Sequence, residues 1–182
     1  MQDKPKEERR YPMRTTAVLA FLAIALTLQA QQKDTQPSPA QHHGEVMKRG
    51  DQAMGFSQEK TTHHFLLFKN GGAIAVEAND PKDTDNRDQI RQHFSHIAKM
   101  FSQGDFDMPM FIHGTTPPGV PIMTQLRDQI HYQFQETSRG ARVRITTANA
   151  EALKAIHSFL RFQIADHQTG DSGNVTDEVQ RK

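Results

Sequence analysis

The chain has 182 residues, of which 22 are lysine or arginine and 21 are aspartate or glutamate, so its formal net charge at pH 7 is +1. This near-neutral, mixed charge argues against nucleic acid or an anionic membrane surface as the main partner. The chain has no cysteine, which excludes a disulfide framework, a lipid-anchored lipoprotein and a catalytic thiol. The mature fold must therefore depend on its hydrophobic core alone.

The first predicted element is a secretory signal peptide over residues 1–30. Three arginines precede an apolar run at residues 15–30, and polar residues follow it. The apolar core is shorter than the roughly 20 residues that a membrane-spanning helix needs, so we expect no stable membrane span after signal cleavage. Translation can start at Met1 or at Met13. The mature protein is expected to be periplasmic or secreted.

Two further segments are predicted to be disordered. Residues 31–53 are rich in Gln, Pro, Ser and Lys, and a segment of this composition cannot bury enough apolar surface to offset its ordering entropy. Residues 169–182 have a similar composition. We therefore expect a disordered tether over 31–53, a single folded domain over 54–168 and a disordered tail over 169–182.

The folded domain shows a weak internal duplication of a β-hairpin followed by a helix. In the first half, residues 63–68 and 73–78 are typical of strands around a glycine-rich turn, and apolar residues recur at helical spacing over 85–102. In the second half, alternating residues flank a turn at 138–140, and Asn149 is placed to cap a helix.

This order predicts an α+β, two-layer sandwich. The two pseudo-duplicated β-hairpin–helix units form one antiparallel sheet, with both helices on one face, because that arrangement buries both apolar helix stripes. The connection over residues 106–123 contains four prolines and is predicted to be a loop, with a short edge strand at 110–112.

Several segments resemble a family of uncharacterised secreted bacterial proteins. The resemblance rests on MGFSQEKTTHHF, the following GG pair, IRQHFSHIA, PPGV and AIHSFLRFQIADHQTGD, which together span nearly the whole mature domain. It implies an exported single-domain protein. It implies no activity, because none is established for that family.

The side chains that could carry chemistry are mainly imidazoles and thioethers. Ten histidines and eight methionines offer ligands that suit copper, and imidazole also suits zinc. His93, His96 and Met100 lie on one flank of the apolar stripe of the helix predicted over residues 85–102. Their side chains can therefore converge on one ion. The alternative is that a histidine beside an apolar helical face is a core residue with a hydrogen-bonded ring.

Three other histidines are weaker candidates for metal ligands. His63 and His64 are neighbours on a strand, so their side chains point to opposite faces and cannot chelate as a pair. His113 lies at the entrance to the proline-rich connection, where ligand groups often occur, and Asp105 and Asp107 are close to it in sequence.

Three functions remain open at this point. The first is an exported small binding protein, with a transition metal such as copper or zinc as its ligand. The second is a structural or interaction module of the cell envelope that binds another envelope protein without a metal. The third is an enzyme that uses His113 and a nearby carboxylate, although the chain contains none of the common hydrolase or phosphate-binding motifs.

Overall fold

The computed structural model describes residues 38–178, so the predicted signal peptide lies outside the described residues. Short 3₁₀ turns at Gln58–Lys60 and Arg127–Gln129 directly precede the first and third strands. None of the helices in the described range is both long and apolar enough to cross a membrane. The elements in chain order are α1 (Pro39–Met54), β1 (Thr61–Phe68), β2 (Gly71–Ala78), α2 (Thr84–Ser102), α3 (Asp107–His113), α4 (Val120–Gln125), β3 (Ile130–Glu136), β4 (Gly140–Thr147) and α5 (Ala150–His167).

The four strands form one antiparallel sheet in the order β1-β2-β4-β3. Each hairpin supplies one edge strand and one central strand. The central strands, β2 and β4, pair with each other, and Ala73 lies opposite Arg144 in this pairing. This topology confirms the predicted α+β two-layer sandwich built from two β-hairpin–helix units.

The main helices pack on one face of the sheet, because one set of alternating strand side chains is apolar. Phe65 on β1, Ile74 on β2 and Val143 on β4 belong to one hydrophobic core. α2 packs mainly on β3 and β4, whereas α5 packs mainly on β1 and β2. Each helix therefore covers the hairpin of the other unit, and neither unit can bury its apolar face alone.

Helix α1 occupies residues 39–54, where the sequence predicts a disordered tether over 31–53. A capping box begins the helix: the Gln41 N–H donates to Ser38 Oγ, and the Ser38 N–H donates to Gln41 Oε1. Val46 is fully buried in the core. The folded domain therefore includes α1 and begins well before residue 54, which corrects the predicted boundary.

The proline-rich connection contains two helices, α3 and α4, in place of the predicted loop and the predicted edge strand at 110–112. Pro109 and Pro121 lie in the first turns of these helices. A backbone N–H in the first turn has no intrahelical partner, so a proline there removes no hydrogen bond. The four strands of the hairpins account for the whole described sheet.

Residues 169–178 lie against β1, where the sequence predicts a disordered tail over 169–182. The Asp171 carboxylate accepts a backbone N–H of β1 at 2.9 Å. Further along, Glu178 pairs at 3.0 Å with Arg144, a residue on the outer face of the sheet that is 4% exposed. The Asp171 contact covers a backbone N–H of the edge strand β1 that would otherwise be unpaired.

Gly119 sets how closely α4 approaches α5, and its replacement by alanine is expected to destabilise the fold. Its φ is +89°, and a Cβ there would lie 2.2 Å from the backbone oxygen of Ala155. Gly170 is a matched control, because its φ is +76° but no atom lies within 4 Å of a Cβ. We expect Gly119→Ala to lower the free energy of unfolding by about 3 kcal/mol and Gly170→Ala by about 1 kcal/mol, measured by urea denaturation. Equal losses would contradict this account of the contact.

Candidate functional site

One face of α2 presents four polar side chains toward α1 and α3. Gln89, Gln92, His93 and His96 follow the i, i+3, i+4, i+7 spacing that places residues on one helical face. With the end of α1 and one residue of α3, they border an open groove of about 380 Å³, which we call the outer groove. The outer groove is lined by Ala53, Met54, Gly55, Gln89, Gln92, His93, His96 and Met108.

The outer groove brings together two imidazoles and two thioethers from three helices. His93 and His96 come from α2, Met54 from the last turn of α1 and Met108 from α3. His96 is exposed, His93 is partly buried and Met54 is only 8% exposed, so the donors extend from solvent toward the core. None of the lining residues is a carboxylate, lysine or arginine. The groove therefore offers nitrogen and sulfur donors.

His93 is held as a neutral imidazole. Burial, and then the positive charge of a protonated His96, lower the pKa of His93 from 6.5 to about 4. Its ring lies edge-on to Phe56, with the ring centroids 5.6 Å apart. Within residues 38–178 no hydrogen bond is made to this ring. A neutral imidazole with no hydrogen bond keeps a lone pair for a ligand at pH 7.

A smaller space adjoins the outer groove, and we call it the inner cavity. Its volume is about 60 Å³, and it shares Met54, His93 and Met108 with the outer groove. This is much less than the roughly 150 Å³ of an engineered cavity that binds benzene, so the inner cavity has room only for a few water-sized groups. Its polar wall also contains His63, His113, Gln163 and His167.

His63 lies in an aromatic stack inside the wall of the inner cavity. Its ring centroid is 5.9 Å from that of Phe56 and 5.7 Å from that of His167, and the two imidazole planes are within 7° of parallel. Ring lone pairs lie in the ring plane, so two parallel stacked imidazoles cannot direct them at one ion. His63 Nε2 is buried and has no hydrogen-bond partner among the described residues.

Both members of this imidazole stack are neutral at pH 7. Burial, followed by the charges of His93 and His64, lowers the pKa of His63 to about 4. Burial also lowers the pKa of His167 to about 3, with further lowering from His63 and His113. Three imidazoles in the wall of the inner cavity, those of His63, His93 and His167, are therefore uncharged at pH 7.

His113 is a buried residue whose two ring nitrogens are both occupied. Nδ1 lies 2.5 Å from Asp166 Oδ2, and Nε2 lies 2.9 Å from Gln163 Oε1. With a proton on each nitrogen, both N–H groups donate to these oxygens; with a proton on Nδ1 alone, a flipped Gln163 amide donates to Nε2. In either state neither nitrogen is free to take a proton from a substrate.

Asp166 links three helices through two histidines. Its second oxygen accepts from His42 Nε2 at 2.8 Å, so this α5 carboxylate binds both α1 and α3. Burial raises the pKa of Asp166, but the hydrogen bonds from His113 and His42 outweigh this effect and leave the pKa lowered. The arrangement stabilises the packing of the helices that border the outer groove.

The structure places the predicted ligands in four separate environments. His93 and His96 line the outer groove together, whereas His63 and His113 line the inner cavity. Met100 does not line either space and packs against the hydrophobic core. His64 lies outside both as well, where its Nδ1 pairs with Asp171 at 2.9 Å. The carboxylate beside His113 is Asp166; Asp105 instead accepts the backbone N–H of Asp107.

Several residues of these two spaces are missing from the sequence-based prediction. The thioethers of Met54 and Met108 occupy the position expected for Met100, and neither lies within helical spacing of His93. His167 and Asp166 are close to His113 only in three dimensions. The single available signal was the high number of methionines and histidines in the chain.

Among residues 38–178, no group of three or more His, Cys, Asp or Glu side chains is arranged to hold a metal ion. This finding concerns those four residue types only, and it does not cover a ligand set that includes methionine sulfur. Comparison with known proteins gives no match: no family model, no curated protein and no solved structure is similar to the chain. The resemblance to uncharacterised secreted proteins therefore stays a prediction.

Proposed function

We propose that this protein is an exported binding protein for a transition-metal ion, and that the ion binds in the outer groove. Export is inferred from the signal peptide predicted at residues 1–30. The observation that carries the proposal is the convergence of His93, His96, Met54 and Met108 on one solvent-open groove. Imidazole nitrogen and thioether sulfur are both ligands for transition-metal ions.

The absence of acidic side chains, lysine and arginine from the lining of the outer groove favours a metal over a charged organic ligand. No lysine, arginine, aspartate or glutamate lines the groove, so a carboxylate, phosphate or ammonium group would find no counter-charge there. A metal ion gains its binding energy from the lone pairs of the neutral donors. The lowered pKa of His93 supports this, because metal competes with no proton at pH 7.

The enzyme alternative has less support. It relied on His113, whose two nitrogens are both engaged by Asp166 and Gln163. A general base needs a free nitrogen within reach of the substrate proton. The envelope interaction module remains the main alternative, and it is an outcome of the following test.

Metal binding should depend on the two histidines of α2. The test uses full chain exported without a histidine tag, loaded with Cu(I) or with Zn(II) and analysed for metal content and affinity. We expect stoichiometric binding of at least one ion, and a loss of about 100-fold or more in affinity when His93→Ala and His96→Ala are combined.

The control for this test is His131→Ala, which removes an exposed imidazole of β3 that does not line the outer groove. It should leave metal affinity unchanged. Substoichiometric binding that is equal in all variants would refute a metal function and favour the interaction module.

A further inference from the structure

We infer that the ion bound in the outer groove is Cu(I), held by the imidazoles of His93 and His96 and by the thioethers of Met54 and Met108. This inference rests on the proposed function and narrows it to one oxidation state and one set of four residues. It adds two ligands from α1 and α3 to the two that share α2.

The type of donor is the first argument for Cu(I). Soft thioether ligands select Cu(I), whereas zinc in proteins is bound by thiolate, imidazole and carboxylate. The chain has no cysteine, so methionine supplies its only soft donors. The outer groove contains two imidazoles and no third His, Asp or Glu for zinc.

Charge is the second argument. None of the eight residues that line the outer groove is a carboxylate, so a bound ion keeps its full charge at the edge of the hydrophobic core. A partly buried charge without a counter-charge is unfavourable, and the penalty rises with the charge of the ion. A monovalent ion is therefore better accommodated than a divalent one.

The position of the thioethers is the third argument. Met54 and Met108 lie between the outer groove and the apolar inner cavity, whereas His96 is exposed. His93 lines both spaces as well, so an ion that enters past His96 can contact the His93 ring and both sulfur atoms on its inner side. The apolar shell behind them limits solvent access, which favours the reduced ion.

The decisive experiment is X-ray absorption on full-length protein labelled with selenomethionine and loaded anaerobically with Cu(I). We expect copper scattering in the selenium spectrum, and both nitrogen and selenium neighbours in the copper spectrum. A copper spectrum with nitrogen or oxygen neighbours alone would refute the inference.

Affinity measurements on variants provide an independent test. Competition with a chromophoric Cu(I) chelator should show that Met54→Leu and Met108→Leu each weaken Cu(I) binding by about tenfold or more. Met100→Leu is the matched control and should have no effect, because Met100 packs against the core and lines neither space. Circular dichroism identifies any variant that fails to fold. If a variant fails to fold, the X-ray absorption spectra of the labelled wild-type protein decide whether the methionines bind Cu(I).

The outcomes separate this inference from the broader proposal. Zn(II) binding as tight as Cu(I) binding, or Cu(I) binding that depends on His93 and His96 but on neither methionine, would overturn the Cu(I) assignment and keep the metal function. Failure of the protein to bind either ion would overturn both.

Discussion

Metal-free protein is expected to lose several kcal/mol of its free energy of unfolding when the pH falls from 6.5 to 4. The cause is the set of imidazoles around the inner cavity. In the folded protein, burial lowers the pKa of His63 and His93 to about 4 and that of His167 to about 3, from 6.5 in a solvated chain. The unfolded chain therefore binds protons in this pH range that the folded chain does not bind.

The direction of the effect follows from proton linkage. Because the three folded-state pKa values are depressed, the stabilisation is fully present above pH 6.5 and is lost progressively between pH 6.5 and about 3 to 4. One pKa unit corresponds to about 1.4 kcal/mol, so His63 and His93 each account for about 3 kcal/mol and His167 for about 5 kcal/mol. Their sum is comparable to the roughly 5–15 kcal/mol stability of a typical domain, and we expect acid unfolding near pH 4.

Urea denaturation at several pH values between 7 and 4, with a chelator present, measures this dependence. His63→Phe keeps a ring between Phe56 and His167 but removes a titrating group, so stability should fall less steeply with decreasing pH. His131→Gln, at an exposed position on β3, should leave the slope unchanged. Identical slopes in the wild type and His63→Phe would show that these imidazoles do not govern acid stability.

The parts of the fold that the sequence predicts correctly are those whose signal is local. Alternation in the strands and helical spacing in residues 85–102 are repeated patterns, and Asn149 caps α5 as predicted, through its side-chain contact with the Ala152 N–H.

Helix α1 was missed because its stabilising contacts are distant in sequence. Its composition is polar and it contains two glycines, so its own residues favour disorder. What holds it are long-range contacts: Arg49 donates to the Ile112 oxygen at 2.6 Å, and Gln58 donates to the Met47 oxygen at 2.6 Å. No periodicity in residues 31–53 could indicate these partners.

The residues that line the candidate site divide in the same way between local and long-range signals. The spacing of His93 and His96 on one helix is local, and the structure places both in the outer groove. The thioethers come from α1 and α3, elements that the sequence analysis read as tether and loop. Met100 satisfied the helical geometry but faces the core, because a helix with a wide apolar face buries residues on the flank of its stripe as well.

Replacement of Asp166 by alanine is expected to lower the free energy of unfolding by about 3–5 kcal/mol at pH 7. The variant leaves the imidazole of His113, which is 2% exposed, without the carboxylate that lies 2.5 Å from Nδ1. Removing one partner of a buried pair is costly, because the other polar group stays desolvated and unpaired. The same change releases His42, so α1 should exchange its amide hydrogens faster.

Two variants separate the buried part of this contact from the exposed part. Asp166→Asn retains an oxygen that accepts the Nδ1–H of His113, so it should cost only about 1–2 kcal/mol. His42→Ala removes the partner at the more exposed end, whose side chain is 36% exposed, and should cost less than about 1 kcal/mol. Urea denaturation ranks the three variants. Equal losses for Asp166→Ala and His42→Ala would mean that the contact with α1, and not the pairing with His113, is what Asp166 contributes to stability.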